Sequence, residues 1–317
     1  MVQYEASVFL RATLILNNYV FNKKYPGVKG NFYPLIFTDL DGSLLDHHRY
    51  SSDAASSLLK LLELHKLPVI AVTSKTASEV IPLREHLENK HPFVVENGAA
   101  IYIPKEYFSE NLDMKNRNIV NEYIRISEAP SRDHWRKVLR DFRDKYGKEF
   151  RSFSDIFYQD GTSGICKVTN LSLRSAENAN KREYTEPVIW EGTEQRKIQF
   201  IGELQEVGAN PLQGGRFLTI GGDFDKGRAL KKISGFYSST LELPIHSLAV
   251  GDSANDVSML DAADWALLIR AKNRALPSLK RDSNTLVSDY EGPKGWDQGV
   301  RQWLSRIKYE FENANDD

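Results

Sequence analysis

A single cysteine, Cys166, in 317 residues excludes an internal disulfide framework and a cysteine-rich metal site. That scarcity fits a reducing compartment, and a cytoplasmic protein is expected. No apolar run reaches the roughly 18 residues of a membrane span, so no membrane partner is expected. Charge of one sign is also missing: 42 Lys and Arg face 43 Asp and Glu, for a formal net charge of -1. Nothing is basic enough to hold nucleic acid, and no acidic tract forms a disordered tail. Internal repeats and low-complexity segments are absent from the sequence too. A chain of this length buries a sizeable core and is expected to form two domains, although none of these features encodes an oligomeric state. Residues 1–30 are the odd part. Val8-Phe9-Leu10 and Leu14-Ile15-Leu16 are apolar, but Glu5 precedes them and Arg11 interrupts. A signal peptide therefore reads poorly, and an amphipathic helix or leader before Pro26-Gly27 reads better.

What is present is organised around LIFTDLDGSLL, Leu35 to Leu45. Leu35, Ile36 and Phe37 have the pattern of a strand buried on both faces. Two carboxylates, Asp39 and Asp41, stand at its end, followed by Gly42, which can release the chain into a tight turn. Side chains two apart in an extended segment point the same way, so both carboxylates can face one pocket while Leu40 turns into the core. Like charges held that close repel unless a cation or proton joins them. The pair therefore suggests a magnesium site with an attacking carboxylate beside an acid/base carboxylate.

Downstream, Ser51 or Ser52 can cap a helix whose Ala55, Leu58, Leu59 and Leu62 form one stripe. A second strand, Val69 to Val72, ends in Thr73 and Ser74. Thr76 and Glu79 make a capping box for the next helix, which Pro82 should kink or delay. A third strand, Phe93 to Val95, ends in Glu96-Asn97-Gly98. Strand, helix, strand, helix, strand is the pattern of a parallel sheet with crossover helices, and its polar residues gather at the ligand-binding carboxyl edge. The rhythm changes from about residue 111. A helix is expected from Ser131 to Tyr146, then strand-like and short helical segments, the strand Pro187 to Trp190, a helix from Thr193 to about Gly208, and the strand Arg216 to Ile220. The α/β pattern returns with a helix at Asp225, the strand His246 to Val250 running into Gly251-Asp252-Ser253-Ala254-Asn255-Asp256, a helix through Met259 and Leu260, the strand Trp265 to Ile269, and a last helix through Val300 and Trp303. The expected division is a leader over 1–30, an α/β core over 31–110 and 222–317, and an inserted α+β unit over 111–221.

Magnesium takes about six oxygen ligands and keeps several waters. The Asp39 carboxylate, the Asp41 carbonyl and the Asp252 carboxylate are a reasonable protein share. Phosphoryl transfer chiefly needs positioning and charge neutralisation, which the Thr73 hydroxyl and the Lys226 ammonium can supply. Each residue alone is as ordinary as a turn, a cap or a surface lysine. Four of them in order, each at a strand end or helix start, are not.

In this order the sequence resembles the haloacid dehalogenase-like phosphatases. FTDLDGS looks like their first motif, AVTSKT their second, DKGRAL their lysine-bearing third and AVGDSANDVSML their metal-binding fourth. VTSKT, HPFVVENGAAI, KREYTEP, GGRFLTIGGDFDKG and EGPKGW are similar to the branch formed by the mannosyl-3-phosphoglycerate phosphatase family. The resemblance implies a Rossmann-like core with a cap closing over a phosphorylated sugar-glycerate substrate, and release of mannosylglycerate, a compatible solute. It implies Asp39 as the nucleophile and Asp41 as acid and base. Thr73 and Lys226 would bind the phosphoryl group, with Ser74, Lys75, Asn97 and Asn255 beside them. Asp39, Asp41, Asp252 and Asp256 would hold Mg2+, and Arg182 and Arg216 would pair the glycerate carboxylate. Ser43 stands where the family usually has threonine, keeping the hydroxyl. The competing expectations are a phosphatase of the same superfamily on glucosyl-3-phosphoglycerate, sucrose phosphate or a hexose phosphate, and a catalytically silent binding protein.

Overall fold

The computed structural model describes residues 32–46, 50–108, 114–214, 216–272 and 274–311. The leader expected over 1–30 lies outside the described residues. Among these, thirteen strands form two sheets: nine in the order β13-β12-β11-β1-β2-β3-β4-β6-β5, and four in the order β7-β8-β10-β9.

The larger sheet grows from its longest fully buried strand, β1 (Tyr33–Thr38). Alternation along β1 feeds two cores. Leu35 and Phe37 pack with Ala229, Leu230 and Ile233 of the helix Lys226–Leu241. Ile36 packs on the opposite side with Leu58, Leu62, Trp296 and Trp303. β1 pairs in parallel with β2 (Val69–Val72) and β11 (Ile245–Gly251). Parallel pairing continues to β3 (Phe93–Val95) on one side, and to β12 (Trp265–Arg270) and β13 (Thr285–Glu291) on the other. Helices cover both faces, which is why these strands read as unbroken apolar runs. The helix after β2 starts at Ala77, where Thr76 and Glu79 form the capping box, and runs through Pro82 to His86. The proline does not delay its start; its missing N–H falls in the second turn, after the capped end is secured.

Beyond β3 the sheet turns antiparallel through β4 (Ala100–Pro104), β6 (Tyr123–Ile126) and the edge strand β5 (Arg117–Val120). β5 and β6 fall within the stretch 111–221 expected above to be inserted, and they hydrogen-bond to the larger sheet. The smaller sheet is antiparallel and comprises β7 (Phe150–Ser152), β8 (Glu186–Trp190), β9 (Leu212–Gln213) and β10 (Leu218–Ile220). Its core gathers Phe150 of β7 with Trp135, Leu139, Tyr146 and Phe200, from the helices Arg132–Asp141, Arg143–Tyr146 and Glu194–Glu206. The stretch expected to hold short segments before β8 instead carries the helix Phe153–Thr169, with Gly161 at φ 60 and ψ -153 within it, and the helix Leu173–Asn180. Ser152 and Asp155 close a capping box at the start of the longer one.

Candidate active site

The carboxyl ends of β1, β2, β3 and β11 open onto a cleft of about 840 Å³ whose opposite wall belongs to the smaller sheet and its helices. That volume suits a ligand larger than a simple phosphate. Asp39, Asp41, Ser74, Lys75, Asn97, Asp252 and Asn255 line the core wall. Arg182, Arg216, Phe217, Phe153 and Leu171 line the other.

Two features aim the first motif at this cleft. Thr38 bonds the Asp39 carbonyl at 2.7 Å and is itself held by the Trp296 indole N–H at 3.0 Å. The chain then turns through Gly42, at φ 84, so that Leu40 falls into the core and the two carboxylates stay at the edge.

Asp39 is 5 % exposed and Lys226 fully buried. The Lys226 ammonium donates to Asp39 Oδ1 at 2.6 Å and to Asp256 Oδ1 at 2.7 Å. It sits in the first turn of the helix Lys226–Leu241, which Asp225 caps by accepting the Arg228 N–H at 2.9 Å. Close backbone approach places that turn: Gly98, at φ +105, would put a Cβ 2.3 Å from the Asp225 carbonyl, so only glycine fits. Asp256 is fixed from behind, its Oδ2 accepting the Asp252 and Ser253 N–H groups, both at 3.1 Å.

Asp39, Asp252 and Asp256 offer oxygens within 4.8 Å of one another, all buried. One ammonium cannot neutralise three carboxylates. Burial pushes the Asp39 carboxyl up, Lys226 pulls it back, and Asp256, Asp252 and Asp41 raise it again, leaving it at about 8 against an ordinary 3.8. Burial works against the Lys226 ammonium, but Asp256 and Asp39 outweigh it and hold it above its usual range. The cluster is thus short of positive charge, and its all-oxygen donor set suits a hard divalent cation.

The carboxylate of Asp41 is outside that cluster. It pairs with Lys75 Nζ at 2.7 Å through Oδ2, while its Oδ1 is buried without a hydrogen-bond partner among the described residues. Lys75 is also 3.9 Å from Glu79 and 4.9 Å from the centre of the Tyr50 ring. Burial alone would lower its pKa, but Asp41 and Glu79 hold it above the ordinary value. Thr73 lies buried beneath the residues that line the cleft, its Oγ1 accepting the Lys75 N–H at 3.2 Å. Asn97 Oδ1 accepts from Asn255 Nδ2 at 3.1 Å, joining the turn after β3 to the turn after β11.

The two arginines expected at the glycerate carboxylate differ. Arg182 donates to Thr185 Oγ1 at 2.8 Å and to the Ser74 carbonyl at 3.2 Å and lies 3.9 Å from Glu96, while its Nε is buried without a hydrogen-bond partner among the described residues. Arg216 is exposed and donates to the carbonyls of Val168 and Thr169 at 3.3 and 2.7 Å. Among the described residues it has no acidic partner. Sequence reasoning passed over Arg274, whose guanidinium lies 4.0 Å from Asp252 at the cleft rim, and Glu96, buried between the two walls. The signals for Glu96 are an acid placed directly after an apolar strand and its place in the family-like segment HPFVVENGAAI.

A family model described as haloacid dehalogenase-like hydrolase matches residues 36–280. The chain belongs to that family. Among relatives of this hydrolase, a Methanococcoides burtonii protein is 36% identical over 277 residues, covering 86% of this chain and 97% of that one. A Persephonella marina protein is 34% identical over 281 residues, covering 86% and 98%. Both are named glucosyl-3-phosphoglycerate/mannosyl-3-phosphoglycerate phosphatase. A crystal structure from Thermoplasma acidophilum shares the hydrolase's fold at a TM-score of 0.60 and 19% identity, covering 86% of this chain and 98% of that one. Among the described residues no helix is long and apolar enough to cross a membrane.

Proposed function

We propose that this hydrolase is a magnesium-dependent phosphatase that converts mannosyl-3-phosphoglycerate to mannosylglycerate and phosphate through an aspartyl-phosphate. It is a phosphoric monoester hydrolase, as the names of the M. burtonii and P. marina relatives and the family support. The observation that carries the reading is the buried Asp39, Lys226, Asp256 and Asp252 group on the floor of a cleft with a second, partly apolar wall. The inserted cap is, in this reading, the part of the chain from about residue 127 to 221, after the last strand given to the larger sheet. A cytoplasmic setting, where a compatible solute is made, belongs to the same reading.

Asp39 and Asp252, with the Asp41 carbonyl, would hold Mg2+, and Asp256 would brace them. Bound there, the ion neutralises the carboxylates and the phosphoryl oxygens. Lys226 fixes one Asp39 oxygen, leaving the other to attack phosphorus in line with the leaving oxygen. Asp41 protonates the departing glycerate oxygen, then takes a proton from the water that hydrolyses the acyl phosphate. Lys75 sets the direction of that carboxylate. The Thr73 O–H, the Ser74 hydroxyl and Lys226 hold phosphoryl oxygens, and Asn97 and Asn255 keep the two flanking turns in register. In the cap, Arg216 has donors to spare for the glycerate carboxylate, while Arg182 shapes the wall beside Ser74.

A phosphate-release assay over mannosyl- and glucosyl-3-phosphoglycerate, sucrose phosphate and mannose phosphates tests the assignment. The glycosyl phosphoglycerates should be turned over with the highest kcat/KM. Equal or greater efficiency on the carboxylate-free sugars would overturn the substrate, and no phosphate release from any of them would overturn the class.

A further inference from the structure

Glu96 is a buried acid that the phosphoryl chemistry leaves unused. It follows the carboxyl end of β3, is 1 % exposed, and shares left-handed backbone with Asn97, at φ 48 and 62. A glutamate rarely stays in that region unless its surroundings over-determine it. Here they do. Its Oε1 accepts the Glu183 N–H at 2.8 Å. Its Oε2 accepts the Tyr184 N–H at 3.2 Å, the Thr185 N–H at 2.9 Å and the Thr185 hydroxyl at 2.5 Å. Three successive amides turned on one carboxylate make an anion-binding concavity, and its anion comes from the opposite wall of the cleft.

The same two residues reach the catalytic turns through their backbone. The Glu96 N–H donates to the Lys75 carbonyl and the Asn97 N–H to the Thr73 carbonyl, each at 2.9 Å. Arg182 closes the circuit, donating to Thr185 Oγ1 and to the Ser74 carbonyl while lying 3.9 Å from Glu96. Nearby, the Thr76 hydroxyl donates to the Asn178 carbonyl at 2.9 Å, so a second contact fixes the same approach.

We infer that Glu96 is a positioning residue: it pins the segment 182–185 to the catalytic turns and so sets the separation of the two cleft walls. The inference rests on the phosphatase reading and deepens it. A substrate that bridges both walls depends on that separation. An ester that touches only the phosphoryl site does not.

The test uses the full chain with Glu96→Gln, which keeps size and one acceptor oxygen but turns an NH2 group toward the amides. Kinetics are measured on mannosyl-3-phosphoglycerate and on p-nitrophenyl phosphate, with amide hydrogen exchange followed at 183–185. The expected result is a KM for the glycosyl phosphoglycerate raised by about tenfold or more, the scale of a lost charged hydrogen bond. Its kcat should stay within about threefold, p-nitrophenyl phosphate hydrolysis should be unchanged, and the three amides should exchange faster while β1 and β11 keep their protection. An unchanged KM, or equal kcat losses on both substrates, overturns the inference. If the wild type ignores the glycosyl phosphoglycerate but releases phosphate from another ester, the substrate reading alone fails. The exchange experiment then decides: unchanged exchange at 183–185 overturns the role of Glu96, and faster exchange confined there upholds it.

Discussion

Replacing Asp39 by Asn should abolish turnover and, in metal-free buffer, make the protein more stable. The sign follows from the Asp39 carboxyl, which sits at about 8 in the folded chain against 3.8. Between those values the folded state holds a proton that the unfolded state has released, so stability falls as pH rises through that window. Each pH unit costs about 1.4 kcal/mol, which accumulates to roughly 4 kcal/mol by pH 7 as an upper limit. Relaxation and water entry reduce it, and about 1–4 kcal/mol is the working range. An amide resembles the protonated acid in shape and polarity and carries no such cost. Thermal melts of both proteins at pH 7 with a chelator should therefore place the variant higher, and the gap should narrow as pH is lowered toward 5. Saturating Mg2+ should close or reverse it, because the wild type gains binding energy in proportion to ln(1 + [L]/Kd). A variant melting at or below the wild type in chelator at pH 7 would refute the argument that the cluster lacks positive charge. Substantial phosphate release by the folded variant would remove Asp39 as the nucleophile.

Three further outcomes follow from the geometry. Activity should vanish with a chelator and return with Mg2+, since three buried carboxylates converge where Lys226 bonds two of them; full activity in metal-free buffer would exclude the mechanism. Lys226→Met strips two buried carboxylates of their shared partner and should cost about 3–5 kcal/mol in denaturant melts, so a neutral result would show that the ion pairs do not form. Arg216→Lys should lower kcat/KM on the glycosyl phosphoglycerate by about tenfold and leave p-nitrophenyl phosphate hydrolysis unaltered; equal losses on both substrates would assign Arg216 to folding or cap closure.

The core was legible because its signals are local. β1, β2 and β11 are buried on both faces, so each announces itself as an apolar run, and the reactive groups follow within a few residues of its end. Parallel strands must all deliver their carboxyl ends to one edge, which is how a linear order of motifs becomes a cluster. Strands facing water gave no such signal. β13 reads TLVSDYE and buries only Ser288, and the edge strand β5 is largely exposed. The helix Phe153–Thr169 was hidden for another reason. Gly161, Gly164 and several β-branched residues depress its local propensity, and its stability comes from Phe153, Ile156 and Ile165 packing with Ala176.

The second wall of the cleft shows where sequence reading stops. Arg182 and Arg216 are both arginines in family-like segments, and nothing local separates them. Their partners do: Arg182 is bound to Thr185 and Ser74 and lies beside Glu96, whereas Arg216 meets carbonyls and the Phe217 ring and, among the described residues, no acid. Those partners lie as far as 108 positions away along the chain, so no window of sequence contains them. Asp39 and Asp41 are held by their own strand and turn, and their direction could be inferred from spacing alone. The phosphoryl chemistry is thus written in short segments, and the choice of what is attached to the phosphate is written in long-range contacts such as those that converge on Glu96.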